Sequence, residues 1–263
     1  MTIQSVASAK RNERGVGTAL SNTSTASKAV RSISPVIQGD KLPRHLILLI
    51  LLLLIFVVSP FIVPYYYGPT ILNIIAAAVL LSATYAVSRR RSFLIFGITF
   101  SIFSIVVTFW LAASPEHWLI IVSHGGLVVL IAFFASAILS YVLGADKVTW
   151  DKIYGAICAY LLLGYAWTFA YSVVTEIQPA SFVSMTSPMP ADVVGRVMHL
   201  RYFSFVTLAT IGYGDIVPQT PAARTLALLE AIVGQFYLVA LVGRLVGLHI
   251  VHGNPEPADR RPD

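Results

Sequence analysis

An all-α integral membrane fold is what this sequence predicts, on three observations. The chain is 57% hydrophobic and only 11% charged, with a mean hydropathy of +0.78, whereas soluble domains carry about 25% charged residues. Six apolar segments, 46–63, 70–88, 93–113, 118–143, 153–174 and 224–251, are each long enough to cross about 30 Å of hydrocarbon as a helix. With the N-terminus inside, 15 of the 18 Lys and Arg residues fall on the inner side, leaving only Arg196, Arg201 and Arg224 outside. That asymmetry follows the positive-inside rule and puts both termini in the cytoplasm. The net charge of +6 therefore does not mark a nucleic-acid binder, because it lies along one membrane face.

Residues 1–43 are rich in Ser, Thr and Ala, carry Lys10, Arg11, Arg14, Lys28 and Arg31, and show no apolar period. They read as a disordered basic cytoplasmic tail that anionic lipid could attract. The first long apolar run starts too far in, and runs too long, for a cleaved signal peptide. The breaks between segments are Pro64 to Pro69, Arg89-Arg-Arg91, Ser114 to His117, and Gly144 to Lys152. Tyr65, Tyr66, Tyr67 and Trp118 suit the aromatic belt at the interface, and Arg89 to Arg91 a cytoplasmic anchor. His124 reads as a packed polar residue bonded to a neighbouring group, with a pH sensor as its functional alternative. Gly125 and Gly126 predict a close helix contact. Cys158, the single cysteine, reads as a small buried hydrophobe.

Between the fifth and sixth segments lies Thr207-Leu-Ala-Thr-Ile-Gly-Tyr-Gly-Asp215. Gly212 and Gly214 tolerate positive φ, whereas Ile211 and Tyr213 prefer negative φ. Such an alternation turns successive carbonyls to one side, a ladder of oxygens able to replace the water around a monovalent cation. Irregular backbone in a membrane is tolerated where it lines a cavity. The loop 175–190, with Pro179, Pro188 and Pro190, predicts an exposed, variable turret. Asp192 predicts the cap of a short helix running to about Ala209, whose partly negative end would favour a cation beyond it.

Thr210-Ile-Gly-Tyr-Gly-Asp215 resembles the potassium channel signature, and the resemblance extends over about residues 150–250. A helix-compatible run precedes it, and Gly234 follows where that family's inner helix carries its hinge glycine. The resemblance implies six transmembrane helices plus a re-entrant pore helix and selectivity-filter loop between the fifth and sixth, assembling as a homotetramer. It implies a tail (1–43), a four-helix domain (44–145), a pore domain (146–252) and a short tail (253–263), in a plasma or bacterial inner membrane. Potassium-selective passive conduction is the implied function, with permeant K+ as the ligand, no cofactor, no nucleic-acid partner and no enzymatic chemistry. The carbonyls of Thr210, Ile211, Gly212 and Tyr213 would hold K+, the Thr210 hydroxyl adding the innermost ligand. Gly214 and Asp215 complete the filter, Asp215 at its outer mouth with a bracing hydrogen bond to Tyr202.

Support is expected from the rings of Tyr202 and Phe203 against an outward-turned Tyr213, and from Val206, Thr207 and Glu230. Many relatives carry a carboxylate at the position of Val206, which here is apolar, so a carboxylate–Asp brace is excluded. Glu230 either hydrogen-bonds behind the filter or makes a simple interhelical polar contact. Gly234, Gln235, Leu238, Val242 and Val246 are expected along the permeation path. Gly243 and Gly247 are expected to allow close crossings. An apolar constriction at Val242 or Val246 could gate by dewetting, with the filter as the competing gate.

The first four segments occupy the place of a voltage sensor, yet 118–143 contains no Arg or Lys. At about 2.3 kcal/mol per charge per 100 mV, weak voltage dependence is expected. The dozen residues after Val251 leave no expectation of a cytosolic ligand-binding domain. Other readings are a potassium-transporter subunit, a non-conducting modulatory subunit, and an intramembrane aspartyl protease through Gly212-Tyr-Gly-Asp215. The last needs a second membrane aspartate sharing a proton, which no other segment offers.

Overall fold

The computed structural model describes residues 43–87, 91–113, 116–144 and 149–253. The side chains of 91–94, 96, 108, 109, 111–113 and 245–253 fall outside that description. So do the basic tail, Arg89 and Arg90, Asp146, Lys147 and the C-terminal tail. Helices α1 (Arg44–Ile62), α2 (Gly68–Val87), α3 (Arg91–Ala113), α4 (His117–Val142) and α5 (Trp150–Ile177) come first. Then come β1 (Phe182–Ser184), α6 (Val193–Leu208), β2 (Ile216–Pro218) and α7 (Pro221–Gly253).

By length and composition α1, α2, α4 and α5 suit a membrane crossing, as does the Pro221–Arg244 part of α7. Among the described residues α3 adds a shorter apolar stretch, Gly97–Val107. The helix ends follow the sequence signals. Pro69 sits in the first turn of α2, where a missing N–H costs nothing. Thr149 caps α5 by accepting from the Lys152 amide. Pro60 lies inside α1 and deprives the Phe56 carbonyl of its helical donor; the Ser59 hydroxyl donates to that carbonyl at 3.4 Å instead.

The main core joins α1, α2, α4 and α5 through Leu48, Leu52, Ala83, Leu130, Phe134 and Leu162, and reaches α7 at Tyr237. The Tyr237 hydroxyl donates to the Ala156 carbonyl, pinning α7 to α5. Where α1 and α5 begin and α4 ends, Asp151 lies 2.9 Å from His45 Nδ1 and accepts from the Tyr141 hydroxyl at 3.1 Å, while the His45 ring stacks on Tyr141. Arg244 of α7 donates to the Gly144 carbonyl in the α4–α5 turn. His124 is buried, with Nδ1 2.8 Å from Ser172 Oγ, the bonded packing read from the sequence.

Among the described residues, a Cβ on Gly125 would meet nothing within 4 Å, one on Gly126 only the Phe100 ring at 4.0 Å, and one on Gly243 nothing. These glycines therefore make no close crossing with a described residue of this chain. The close approaches sit instead at Gly164, where the Phe205 ring lies 2.6 Å from an added Cβ, and at Gly234.

Candidate functional site

Helix α6 starts as the sequence indicates: the Asp192 carboxylate accepts from the Gly195 amide at 2.7 Å. Its first turn is fixed to α5 by Arg196 pairing with the buried Glu176, whose other oxygen lies 2.7 Å from His117 Nδ1 at the start of α4.

The far end of α6 is where the signature begins. The Ile211 amide donates to the Val206 carbonyl and the Thr210 amide to the Thr207 carbonyl, both at 2.9 Å, with Thr210 at φ 57°. This is a Schellman cap, in which the left-handed residue is usually glycine. Here it is a β-branched threonine, which resists that conformation by about 1–2 kcal/mol. Val206 and Thr207 thus brace the loop through their carbonyls. Left-handed φ recurs at Gly212 (60°) and Gly214 (76°), alternating with Ile211 and Tyr213. A Cβ on either glycine would meet nothing within 4 Å, so φ rather than space demands glycine here.

The outer end of the loop is held by strand pairing. Strands β1 and β2 run antiparallel with Val183 opposite Val217, and the Met185 amide donates to the Asp215 carbonyl at 2.7 Å. The expected turret is exposed at 177–180, 183 and 185–188, but Ser181 and Phe182 within it are buried. Phe182 inserts its ring edge-on between Tyr171 and Phe203 at 5.1–5.2 Å, and that burial anchors the strand.

The same cluster corrects the placement of Phe203. Neighbours on a helix point about 100° apart, so Tyr202 and Phe203 cannot share a face. Phe203 turns to Tyr171 and Phe182, whereas Tyr202 stays exposed on the side of Asp215. Tyr213, 69% exposed, lies on the Tyr202 side of the loop.

Glu230 is fully buried and joins three elements. The Tyr171 hydroxyl of α5 donates to Oε2, Ser204 Oγ of α6 lies 2.5 Å from Oε1, and Ser204 also lies 2.8 Å from the Gly164 carbonyl. The two hydroxyls supply two hydrogens for these three contacts between oxygens. Either the Ser204 hydrogen is shared between Glu230 and Gly164, or a neutral Glu230 carboxyl would supply a third by donating to Ser204. The sequence singled out Glu230 but not Tyr171 or Ser204, because only packing reveals its partners.

On α7 the residues turned inward are Ala223, Glu230, Gly234 and Tyr237, a stripe at helical spacing. An added Cβ on Gly234 would come within 2.6 Å of the Leu208 carbonyl, so its contact is with the end of α6. Gln235, Leu238 and Val242 lie on the face the chain leaves uncovered, and the Val246 side chain lies outside the described residues.

Comparison with known proteins matches the region that contains this loop. Residues 157–248 match the model of a family described as ion channels. The chain is 29% identical over 116 residues to a voltage-gated potassium channel of Aeropyrum pernix, which is 43% of this chain and 35% of that protein. It is 34% identical over 88 residues to two pore potassium channel c of Oryza sativa subsp. japonica, 34% of this chain and 17% of that one. Two-pore potassium channel 4 of Arabidopsis thaliana is 44% identical over 45 residues, 17% of this chain and 16% of that one. The chain spans about a third or less of the length of these relatives. No solved structure matches it. Apolar helices suit a membrane protein, and residues 157–248 are similar to the ion-channel family. Within that class, the family it resembles is the potassium channels.

Proposed function

We propose that this chain is one subunit of a potassium-selective channel, conducting K+ passively through Thr210 to Asp215. The observation that carries the reading is the alternation of left-handed Thr210, Gly212 and Gly214 with Ile211 and Tyr213, held between a Schellman cap and a strand. Turned to one side, the carbonyls of Thr210, Ile211, Gly212 and Tyr213 replace the hydration shell of K+. One chain supplies one such row, so a ring of four copies closes the filter. The apolar side chains α7 leaves exposed away from the path, among them Phe236 and Val239, then meet neighbouring copies and lipid. All six long helices cross the membrane, with both termini cytoplasmic. Gln235, Leu238, Val242 and Val246 line the path below the filter.

The test is potassium flux from vesicles carrying the purified protein. Barium-sensitive K+ flux that excludes Na+ is expected, and Gly212→Ala should abolish it. Alanine at φ 60° costs about 1–2 kcal/mol per copy, and relaxing to negative φ turns a carbonyl out of the row. Equal Na+ and K+ flux in the unmodified protein would defeat the reading.

Because α4 carries no Lys or Arg, conductance should change little with voltage. A current–voltage measurement in planar bilayers checks this; a steep curve equivalent to several gating charges would contradict it.

A further inference from the structure

A cavity of about 750 Å³ lies among α1, α2, α4, α5 and α6, within the range of roughly 300–1,000 Å³ typical of small-molecule sites. Most of its wall is apolar, with Leu52, Leu80 and Phe134 contributed by three helices. The cavity is partly open, which gives an apolar chain a way in, and its apolar walls lack contact partners until one fills it.

Part of the wall is polar, and its chemistry is one-sided. Arg201 of α6 donates to Ser59 Oγ at 2.6 Å and lies over the Phe56 ring at 5.5 Å. Among the described residues no carboxylate pairs with it, so its charge is uncompensated. The other charged groups on this wall are engaged: Arg196 and His117 with Glu176, and Asp192 with the α6 amide it caps. Ser123 also lines the cavity. It is 4% exposed, and its hydroxyl has no hydrogen-bond partner among the described residues. A buried polar group without a partner is costly, and a cation and a free hydroxyl lining one cavity offer donors to an anionic oxygen head.

We propose that this cavity binds a membrane amphiphile with an acyl chain and an anionic oxygen head group. Arg201 and Ser123 hold the head, and the tail lies among Leu52, Leu80 and Phe134. Val193, Val194, Val197 and Arg201 put one face of α6 on the cavity wall, so the occupant presses on the helix whose other end caps the signature. That coupling to conduction rests on the channel reading; binding itself does not.

The experiment measures binding of radiolabelled oleate, and separately of radiolabelled phosphatidylglycerol, to the purified full chain in phosphatidylcholine vesicles. Saturable binding of one or both is expected, and which one binds distinguishes a carboxylate from a phosphate head. Arg201→Gln should weaken it by about tenfold or more, the loss of a charge-assisted hydrogen bond. Leu80→Trp, which fills the tail region and leaves the head site intact, should weaken it comparably. Both variants should elute and melt as the unmodified protein does; if Arg201→Gln does not, Leu80→Trp alone decides. Non-saturable binding, or binding that Leu80→Trp leaves unchanged, overturns the proposal whatever the K+ flux shows. Loss of flux with binding intact overturns only the channel reading.

Discussion

Glu230→Leu is expected to destabilise the folded protein by about 1–3 kcal/mol, the cost of stranding a buried hydroxyl. Leucine fills a similar volume but accepts nothing, so Tyr171 loses its acceptor, while Ser204 keeps the Gly164 carbonyl. Thermal melting of the purified protein in detergent reads the effect. Glu230→Gln is the informative partner. Its amide oxygen accepts from Tyr171 and its amide nitrogen donates to Ser204, reproducing the pattern of a neutral carboxyl. Near-native melting of the glutamine variant is therefore the result expected of a neutral Glu230. If glutamine proves as damaging as leucine, Glu230 is held as an anion and the Ser204 hydrogen is shared.

Gly234→Val is expected to stop K+ flux. Its first side-chain carbon would sit 2.6 Å from the Leu208 carbonyl and 3.0 Å from Leu208 Cδ1. The carbonyl belongs to the backbone of the last turn of α6, two residues before Thr210, so it cannot yield without moving the Schellman cap. Overpacking of this kind typically costs about 1–3 kcal/mol. Flux from loaded vesicles and the melting temperature should fall together. Unchanged flux in Gly234→Ala would mean that α6 and α7 have slack at this crossing. The glycine expected to provide a bend is thus needed for a close approach.

What could be read from the sequence was what one segment decides for itself. The apolar segments lie within a few residues of helices α1 to α5 and α7, because length and hydropathy are local. Asp192 announced its helix, and the alternation of Gly212 and Gly214 announced the left-handed backbone. Thr210 joins that alternation without any local sign, since threonine does not favour positive φ and only the cap holds it there. Between-element facts stayed hidden. Nothing near Phe182 says that the proposed turret dips into an aromatic cluster, and nothing near Gly125 says that no described residue crosses close to it. Nothing local to Phe203 marks the Tyr171–Phe182 cluster that it joins. Likewise, nothing local to Gly164 marks the Phe205 ring that lies against it.

The buried carboxyl has a further consequence, for how α7 is oriented. Apolar side chains surround most of this helix, so packing alone distinguishes poorly between rotations about its axis. A slip of one residue turns a helix by about 100° and would send Glu230 into lipid or towards the central space. Only one azimuth delivers its two oxygens to Tyr171 and Ser204, and that azimuth leaves Gln235, Leu238 and Val242 on the uncovered side. A residue that never meets the proposed ion path thereby decides which side chains do.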